Sequence, residues 1–355
     1  MPRVELLDSK ELIKKIDRGG MLAVVAQMPE MLLQAEKFSA GVTLPVPEKI
    51  AQVLVVGMGG SAIAGDIAAD IFFKKSRVPI LTSRSYNLPE HVGPDAVLFA
   101  LSYSGETEEV LSAVREAEKR GAKVVCITSG GKLRELAESK RYPLFLVPSG
   151  YQPRVALPFL LVSFLSGLRK LGVIAPQEEE IREAVSLLPT LRDECGPAKH
   201  LRSNPAKQLA KKLAGRVPII FGSTGTTGAA ALRFKTQLNE NSKMTAVASL
   251  FPELDHNEIV NLSVLKKDAH DFSLVVLRDE EDHERVKKRI EITKSLVTRQ
   301  LGGVSEISSR GRSKLARILS LVFVCDLVSI YLALLQEIDP TPVEVISRLK
   351  KELMR

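Results

Sequence analysis

The 355-residue sequence has no tryptophan, only 5 % aromatic residues and three widely separated cysteines, Cys126, Cys195 and Cys325. An odd number of distant cysteines argues against a disulfide framework, so we expect a reducing, cytoplasmic setting. The net charge of +8 is spread over scattered basic residues without a long basic tract. Because nucleic-acid binding usually needs a basic stripe with stacking aromatics, we expect no nucleic-acid partner.

Long apolar runs are also rare. The first 15 residues mix charged and isolated apolar side chains, so they lack the continuous apolar core of a secretory signal and predict a helix. Residues 318–335 are almost wholly apolar and close to the minimum length of a membrane span, but Asp326 lies in the middle. Because an unpaired carboxylate at the bilayer centre is costly, we predict a buried helix of a soluble domain and no membrane association.

The first half of the chain alternates short apolar runs with amphipathic segments. This pattern predicts strands near residues 53–56, 79–82, 96–101, 123–128 and 144–147, and helices near 10–17, 28–38, 61–74, 107–120, 133–139 and 155–171. Strands and helices in this order indicate a doubly wound, parallel α/β sheet.

The second half repeats the pattern after a charged, helical connector. We predict strands near residues 217–221, 272–277 and 303–307, and helices near 229–238, 283–301, 312–335 and 342–354. The domains are accordingly placed at residues 1–175 and 215–355, with a connector at 176–214. Residues 55–61 and 219–225 both place small residues where a strand meets a helix, which fits internal duplication or chance similarity.

A glycine-rich loop, Gly57-Met-Gly-Gly-Ser61, follows the first predicted strand. Glycines let backbone N–H groups approach an anion, and the helix dipole favours negative charge at the first turn. The same loop fits a dinucleotide fingerprint, which calls for an acidic residue at the end of the next strand. Residues 81–86 contain no acid, but Arg84 leaves an NADP-type site open as an alternative.

A second loop carries three hydroxyls, Ser102, Ser104 and Thr107, between a predicted strand and helix. Hydroxyls combined with N–H donors form a phosphate site that needs no metal. An ordinary helix cap would explain one hydroxyl but does not require three around a glycine, so the pattern favours phosphate binding.

Two residues are candidates for acid–base chemistry and charge stabilisation. Glu240, in Asn239-Glu-Asn241, falls at the end of a predicted helix and is either a catalytic or a surface carboxylate. Arg154 enters an apolar helix, where its fixed charge could stabilise an oxyanion or pair with a carboxylate.

His256 lies in a proline-containing segment, residues 251–257, that predicts irregular backbone with side chains available for function. Together with Glu253 and Asp255 it could instead ligate a metal. The five histidines show no paired helical spacing, so we expect no metal site.

In order along most of the chain, these segments resemble the bifunctional phosphoglucose/phosphomannose isomerase family of the phosphoglucose isomerase superfamily, which has two sugar isomerase (SIS) domains. The segments that carry the resemblance are Gly57-Met-Gly-Gly-Ser61, Ser102-Tyr-Ser-Gly-Glu-Thr107, Thr128-Ser-Gly-Gly-Lys132, Pro153-Arg-Val-Ala-Leu-Pro158, Asn239-Glu-Asn241, Pro252-Glu-Leu-Asp-His-Asn257 and Ile346-Ser-Arg-Leu-Lys350. The resemblance implies two doubly wound domains of flavodoxin-like or Rossmann-like type.

The family also implies a reaction, the interconversion of glucose 6-phosphate, and mannose 6-phosphate, with fructose 6-phosphate. Glu240 would move a proton between C2 and C1 through a cis-enediolate that Arg154 stabilises, without a cofactor. The residues implied to hold the 6-phosphate are Gly59, Gly60, Ser61, Ser102, Ser104 and Thr107.

Two further residues are implied to assist opening of the sugar ring. His256 would come from the partner subunit of a homodimer, and Lys350 from the last helix. The adjacent Lys351 leaves the register of that lysine open.

Two other functions compete with the isomerase. A non-catalytic sugar-phosphate sensor would have no use for Glu240, His256 and Arg154 together and usually carries a DNA-binding element, for which the sequence shows no convincing helix-turn-helix. An NADP-dependent oxidoreductase would bind a nicotinamide cofactor, whereas the isomerase would convert fructose 6-phosphate in buffer alone.

Overall fold

The structure is a computed structural model that describes residues 4–264 and 271–353. The strands in these residues are β1 (Gln52–Val56), β2 (Ile80–Ser83), β3 (Ala96–Leu101), β4 (Lys123–Thr128), β5 (Leu144–Leu146), β6 (Val217–Ser223), β7 (Val247–Phe251), β8 (Phe272–Arg278) and β9 (Val304–Ser308). The helices are α1 (Lys10–Ile16), α2 (Met21–Ala26), α3 (Met28–Ala40), α4 (Gly59–Phe72), α5 (Glu108–Lys119), α6 (Gly131–Lys140), α7 (Leu157–Lys170), α8 (Glu178–Cys195), α9 (Pro205–Leu213), α10 (Gly228–Glu240), α11 (Glu258–Ser263), α12 (Glu284–Val297), α13 (Lys314–Leu335) and α14 (Glu344–Leu353).

The first sheet is parallel throughout, in the order β2-β1-β3-β4-β5. All six residues of β3 and four of the five in β1 are buried, as expected for central strands covered by helices on both faces. The chain leaves β1 on one side to form β2 and returns on the other side to form β3. Loops at this switch point border a crevice, which is the usual ligand site of such sheets.

The second sheet is also parallel, in the order β7-β6-β8-β9. It repeats the order β2-β1-β3-β4, so β6 and α10 correspond to β1 and α4. The predicted fold of two doubly wound parallel sheets is therefore confirmed. The bounds of the 176–214 connector stay a prediction.

The sequence did not predict strand β7. This strand lies at an edge of its sheet, and four of its five residues, from Val247 to Leu250, are partly or fully exposed. An edge strand with this composition lacks the continuous apolar run that identified β1 and β3.

Helix α13 joins the two halves. It packs against α8, α9 and α10, and 94 % of its most apolar window is buried although its length and composition would allow it to cross a membrane. Asp326, buried in α13, receives two hydrogen bonds from Arg233 of α10, from Nε at 3.1 Å and from Nη2 at 2.6 Å. Burial raises the pKa of Asp326, and the charge of Arg233 opposes that rise.

Replacing Asp326 with Ala should lower the free energy of unfolding by about 3–5 kcal/mol, because it leaves the buried Arg233 charge without its carboxylate. The double variant Arg233→Met/Asp326→Leu removes both charges and should lose clearly less stability. Urea unfolding of both variants measures the difference. A double variant as unstable as Asp326→Ala would contradict the assigned role of the pair.

Candidate active site

The glycine loop after β1 lies directly against the backbone that precedes α7. A Cβ atom placed on Gly60 would lie 3.0 Å from the Cα of Arg154 and 3.1 Å from the carbonyl oxygen of Pro153. Only glycine allows so close an approach without displacing that backbone. The loop that could bind an anion is thus held next to Arg154.

Three of the four predicted phosphate hydroxyls, those of Ser61, Ser102 and Thr107, lie near one another just after β1 and β3. The backbone N–H of Tyr103 donates to Ser61 Oγ at 3.3 Å, and Ser102 Oγ and Thr107 Oγ1 share a hydrogen bond of 2.8 Å. Thr107 holds the N-cap position of α5, yet its side chain makes no cap hydrogen bond. The ordinary helix-cap explanation therefore does not account for its hydroxyl. Ser104 is exposed, and its Oγ accepts from the N–H of Glu106 at 3.3 Å.

The loop after β4 closes the other side of this crevice. Gly105 has φ of +72°, and a Cβ atom there would lie 1.8 Å from the carbonyl oxygen of Gly130. The N–H of Lys132 donates to Glu106 Oε1 at 3.0 Å. These contacts fix the hydroxyl loop against its neighbour, so its N–H groups and hydroxyls are positioned before any ligand arrives.

Arg154 is 1 % exposed and connects three segments of the chain. Its Nε donates to Asn241 Oδ1 at 2.6 Å, and its Nη2 donates to the carbonyl oxygens of Pro340 at 2.7 Å and Thr341 at 2.9 Å. Nη1 is left facing Gln152 Oε1 at 3.5 Å. The sequence did not single out Gln152, which has no motif of its own.

Glu240, the last residue of α10, faces this guanidinium. Its Oε2 lies 3.7 Å from Arg154 Nη1, and its side chain is 24 % exposed. Burial lowers the pKa of Arg154, and the negative charge of Glu240 opposes that shift. Of the two predicted roles of Arg154, the structure shows the proximity to a carboxylate, and that carboxylate is the candidate base; the oxyanion role stays a prediction.

Lys243 is a further residue near Glu240 that the sequence did not identify. Its Nζ donates to the carbonyl oxygens of Glu240 at 2.5 Å and Pro342 at 2.8 Å. Burial lowers the pKa of Lys243, and the neighbouring Arg154 charge lowers it further. A cation just after the end of a predicted helix is a recognisable signal, because it offsets the negative end of the helix dipole.

His256 lies far from Glu240 within one chain. It is exposed, and it follows β7 at the carboxyl edge of the second sheet. Glu240 ends α10, which starts at that same edge and runs back along the strands. Helix and strand lengths separate the two positions by on the order of 15–20 Å.

In the alternative metal site around His256, the carboxylate of one candidate ligand already accepts hydrogen bonds from the protein. Asp255 accepts from Arg289 Nη1 at 2.9 Å and from Thr293 Oγ1 at 2.8 Å. Within residues 4–264 and 271–353, no group of three or more His, Cys, Asp or Glu side chains is arranged to hold a metal.

Lys350 lies on α14, whose residues are all exposed from Glu344 to Leu353. Arg154 and Lys243 hold the preceding segment through the carbonyls of Pro340, Thr341 and Pro342. The start of α14 is therefore fixed next to Glu240, although none of the hydrogen bonds described for the chain joins Lys350 to either Glu240 or Arg154.

Arg84, the basis of the NADP alternative, forms an ion pair with Asp66 of α4. A 2′-phosphate would have to compete with that carboxylate for the guanidinium.

Comparison with known proteins first defines the class. Residues 48–144 match the SIS domain model, and residues 202–353 match the model of the bacterial phospho-glucose isomerase C-terminal SIS domain. A glucose-6-phosphate isomerase like protein of Thermus thermophilus superposes with a TM-score of 0.64 at 19 % identity, over 96 % of this chain and 99 % of that one. The C-terminal domain of glucosamine-fructose-6-phosphate aminotransferase from Francisella tularensis gives 0.68 at 18 % identity, over 90 % and 97 %. The chain is a protein of two SIS domains.

Sequence relatives narrow the class to a family. A bifunctional phosphoglucose/phosphomannose isomerase of Caldicellulosiruptor bescii is 42 % identical over 94 % of this chain and 98 % of the relative. One from Aquifex aeolicus is 38 % identical over 85 % and 90 %. A D-glucosamine-6-phosphate 4-epimerase of Sulfolobus acidocaldarius is 30 % identical over 87 % and 91 %. The chain belongs to the bifunctional phosphoglucose/phosphomannose isomerase family, as its motifs predicted.

Replacing Ser104 with Ala and Thr107 with Val should weaken binding of inorganic phosphate roughly 10-fold, the effect of losing hydroxyl hydrogen bonds to a charged group. Isothermal titration measures the affinity. Ser139→Ala is the matched control, because that hydroxyl is exposed and donates to the carbonyl oxygen of Leu136 within α6. Equal affinity of the double variant and the wild type would rule out the hydroxyl loop as the phosphate site.

Proposed function

We propose that this chain interconverts glucose 6-phosphate and mannose 6-phosphate with fructose 6-phosphate. The observation that carries the proposal is the contact of the Gly60 backbone with Arg154 and of Arg154 with Glu240. Through these contacts a predicted phosphate loop of the first half lies near the Glu240 carboxylate of the second half, with the Arg154 guanidinium between them.

The phosphate group would be held by the hydroxyls of Ser61, Ser102, Ser104 and Thr107 and by the backbone at Gly59 and Gly60. Helix N-termini favour the dianion through free N–H groups and the helix dipole. Binding the phosphate end fixes the open-chain sugar, so that its reacting carbons reach Glu240.

The proton transfer would then use Glu240 as the only base. Glu240 takes the proton from C2, the C2 electrons form the double bond to C1, and the charge moves to O1. The protonated carboxyl returns its proton to C1 while the O2 proton passes to O1, which leaves the ketose. Hydrogen atoms and electrons balance within the substrate.

Arg154 would stabilise the enediolate in this scheme. Nε and Nη2 are occupied by Asn241 and by two carbonyls, so Nη1 is the nitrogen that can reach an oxyanion. A guanidinium held in place before the reaction stabilises developing charge without the cost of reorganisation.

We also propose a homodimer in which His256 of one subunit completes the site of the other. Two observations support it. His256 and Glu240 lie at opposite edges of the second sheet, and α14 exposes the apolar side chains Val345, Ile346, Leu349 and Leu353. A ten-residue helix with no buried side chain has little stability of its own. In the proposed dimer a second copy of the chain packs against α14, and Lys350 then lies in the interface.

A reducing, cytoplasmic setting fits the same proposal. Cys126, Cys195 and Cys325 are all free and buried, and burial raises the pKa of each thiol. Protonated, inaccessible thiols of this kind are inert rather than catalytic.

Glu240→Gln should keep KM within a few-fold and lower kcat for fructose 6-phosphate by roughly 100-fold to 10,000-fold, because the amide cannot accept the C2 proton. Glu284→Gln, an exposed carboxylate of the same half, is the control. The assay runs in buffer without nicotinamide and includes glucosamine 6-phosphate, the substrate class in the name of the epimerase relative. Residual turnover near the wild-type rate would refute Glu240 as the base.

Mixing Glu240→Gln and His256→Asn proteins tests the shared site. After subunit exchange, a hybrid dimer has one site with both wild-type residues, so activity should recover to roughly a quarter of the wild-type value. Sedimentation measures the oligomer in parallel. No recovery on mixing, with exchange demonstrated, would mean that His256 acts within its own chain or not at all.

A further inference from the structure

The second half contains a loop that the proposed function does not use. Residues 223–228 join β6 to α10 and correspond to the glycine loop that joins β1 to α4. They carry Ser223, Thr226 and Thr227 beside two glycines, the composition that predicts a phosphate site in the first half.

A carboxylate of the first half fills this second loop. Asp70 of α4 accepts from the N–H of Gly225 through Oδ1 at 3.1 Å and from the N–H of Ala229 through Oδ2 at 2.7 Å. Ala229 belongs to the first turn of α10, where free N–H groups and the helix dipole favour an anion, and Gly225 lies in the loop just before that turn. Asp70 therefore occupies the place that a phosphate oxygen would take.

Asp70 is partly exposed, and its surroundings fit a bound anion. Lys314 is 7 % exposed, donates from Nζ to the carbonyl of Gly225 at 2.5 Å and attracts the Asp70 charge. Ser223 is 2 % exposed, and its hydroxyl has no hydrogen-bond partner within the described residues. Asp66 is the nearby like charge, and it is paired with Arg84.

The position of Asp70 links it to the candidate active site. Helices α4 and α10 pack side by side, with Gly60, Arg154 and Glu240 together at one end and Asp70 and Ala229 together at the other. The two helices therefore run antiparallel. Ala229 and Glu240 are roughly three turns apart, which is about 16 Å.

We propose that the Asp70 carboxylate is a built-in anion that fills the second phosphate-type loop and sets the register of α4 against α10. The register fixes the distance from the phosphate loop at the start of α4 to Glu240 at the end of α10. This positioning role rests on the proposed function, whereas the filling of the loop by an anion does not.

Removing Asp70 has opposing effects on stability. Burial raises the pKa of Asp70 to about 6, while the N–H of Ala229 and the charge of Lys314 lower it. The cost of desolvating the carboxylate thus offsets the stabilisation from its hydrogen bonds. For this reason the melting temperature of an Asp70 variant does not by itself measure how strongly the loop binds the carboxylate. An added anion and the turnover rate are the informative readouts.

The first experiment adds sodium formate to Asp70→Ala at pH 7. Formate is a carboxylate small enough for the space left by the side chain, so the melting temperature should rise with formate beyond the rise in sodium chloride of equal ionic strength. Wild type and Asp66→Ala, a carboxylate of the same helix, should show no such difference. Equal responses to formate and chloride in Asp70→Ala would overturn the proposal that the loop binds an anion.

The second experiment measures kinetics with fructose 6-phosphate. Asp70→Ala should lower kcat roughly 10-fold to 100-fold with little change in KM, because the phosphate loop is unchanged while Glu240 is displaced. Formate should restore part of kcat. If Asp70→Ala does not fold, Asp70→Asn serves instead and should also lower kcat. An unchanged kcat in a folded variant would overturn the register role. A wild type without isomerase activity would refute the proposed function, and the formate-dependent melting would still decide whether Asp70 fills the loop.

Discussion

The candidate site depends on one buried guanidinium. Arg154 contacts the first half through the backbone at Gly60, the second half through Asn241 and Glu240, and the C-terminal segment through the carbonyls of Pro340 and Thr341. Its own carbonyl accepts from Arg233 Nη2 at 2.7 Å, which ties it to the Arg233–Asp326 pair between α10 and α13. A fully buried charge is costly unless its N–H groups donate hydrogen bonds. The segments that supply the acceptors must therefore pack around the Arg154 guanidinium.

The two halves share a sheet topology but differ at the loops that follow their strands. In the first, Ser104 at the carboxyl edge of the sheet is exposed, and the side chain of Thr107 makes no cap hydrogen bond. In the second, Asp70 and Lys314 fill the loop after β6. In the proposed function the first half supplies the open phosphate loop, and the amino edge of the second sheet supplies Glu240, which faces Arg154.

Local signals explain why much of the fold and site could be predicted. The buried strands β1 and β3 are continuous apolar runs, and the two loops beside them need glycine at Gly60 and Gly105 for close backbone contacts. Both features depend on residue type at short range. Gln152 belongs to no motif although it lies two residues from Arg154, and β7 is a partly exposed edge strand, so neither had a local pattern strong enough to identify it. Lys243 carried a local signal as a cation just after a predicted helix, but its contact with Pro342 depends on the fold.

The sequence by itself determined the two α/β halves, the glycine and hydroxyl loops and the ordered motifs that place the chain in its family. Only the tertiary structure decided that Glu240 faces Arg154, that His256 lies at the opposite edge of its sheet, and that Asp70 of one half closes a loop of the other. The reason is physical: propensity and periodicity act over a few residues, whereas charge pairing and close packing depend on which distant segments the buried core brings together.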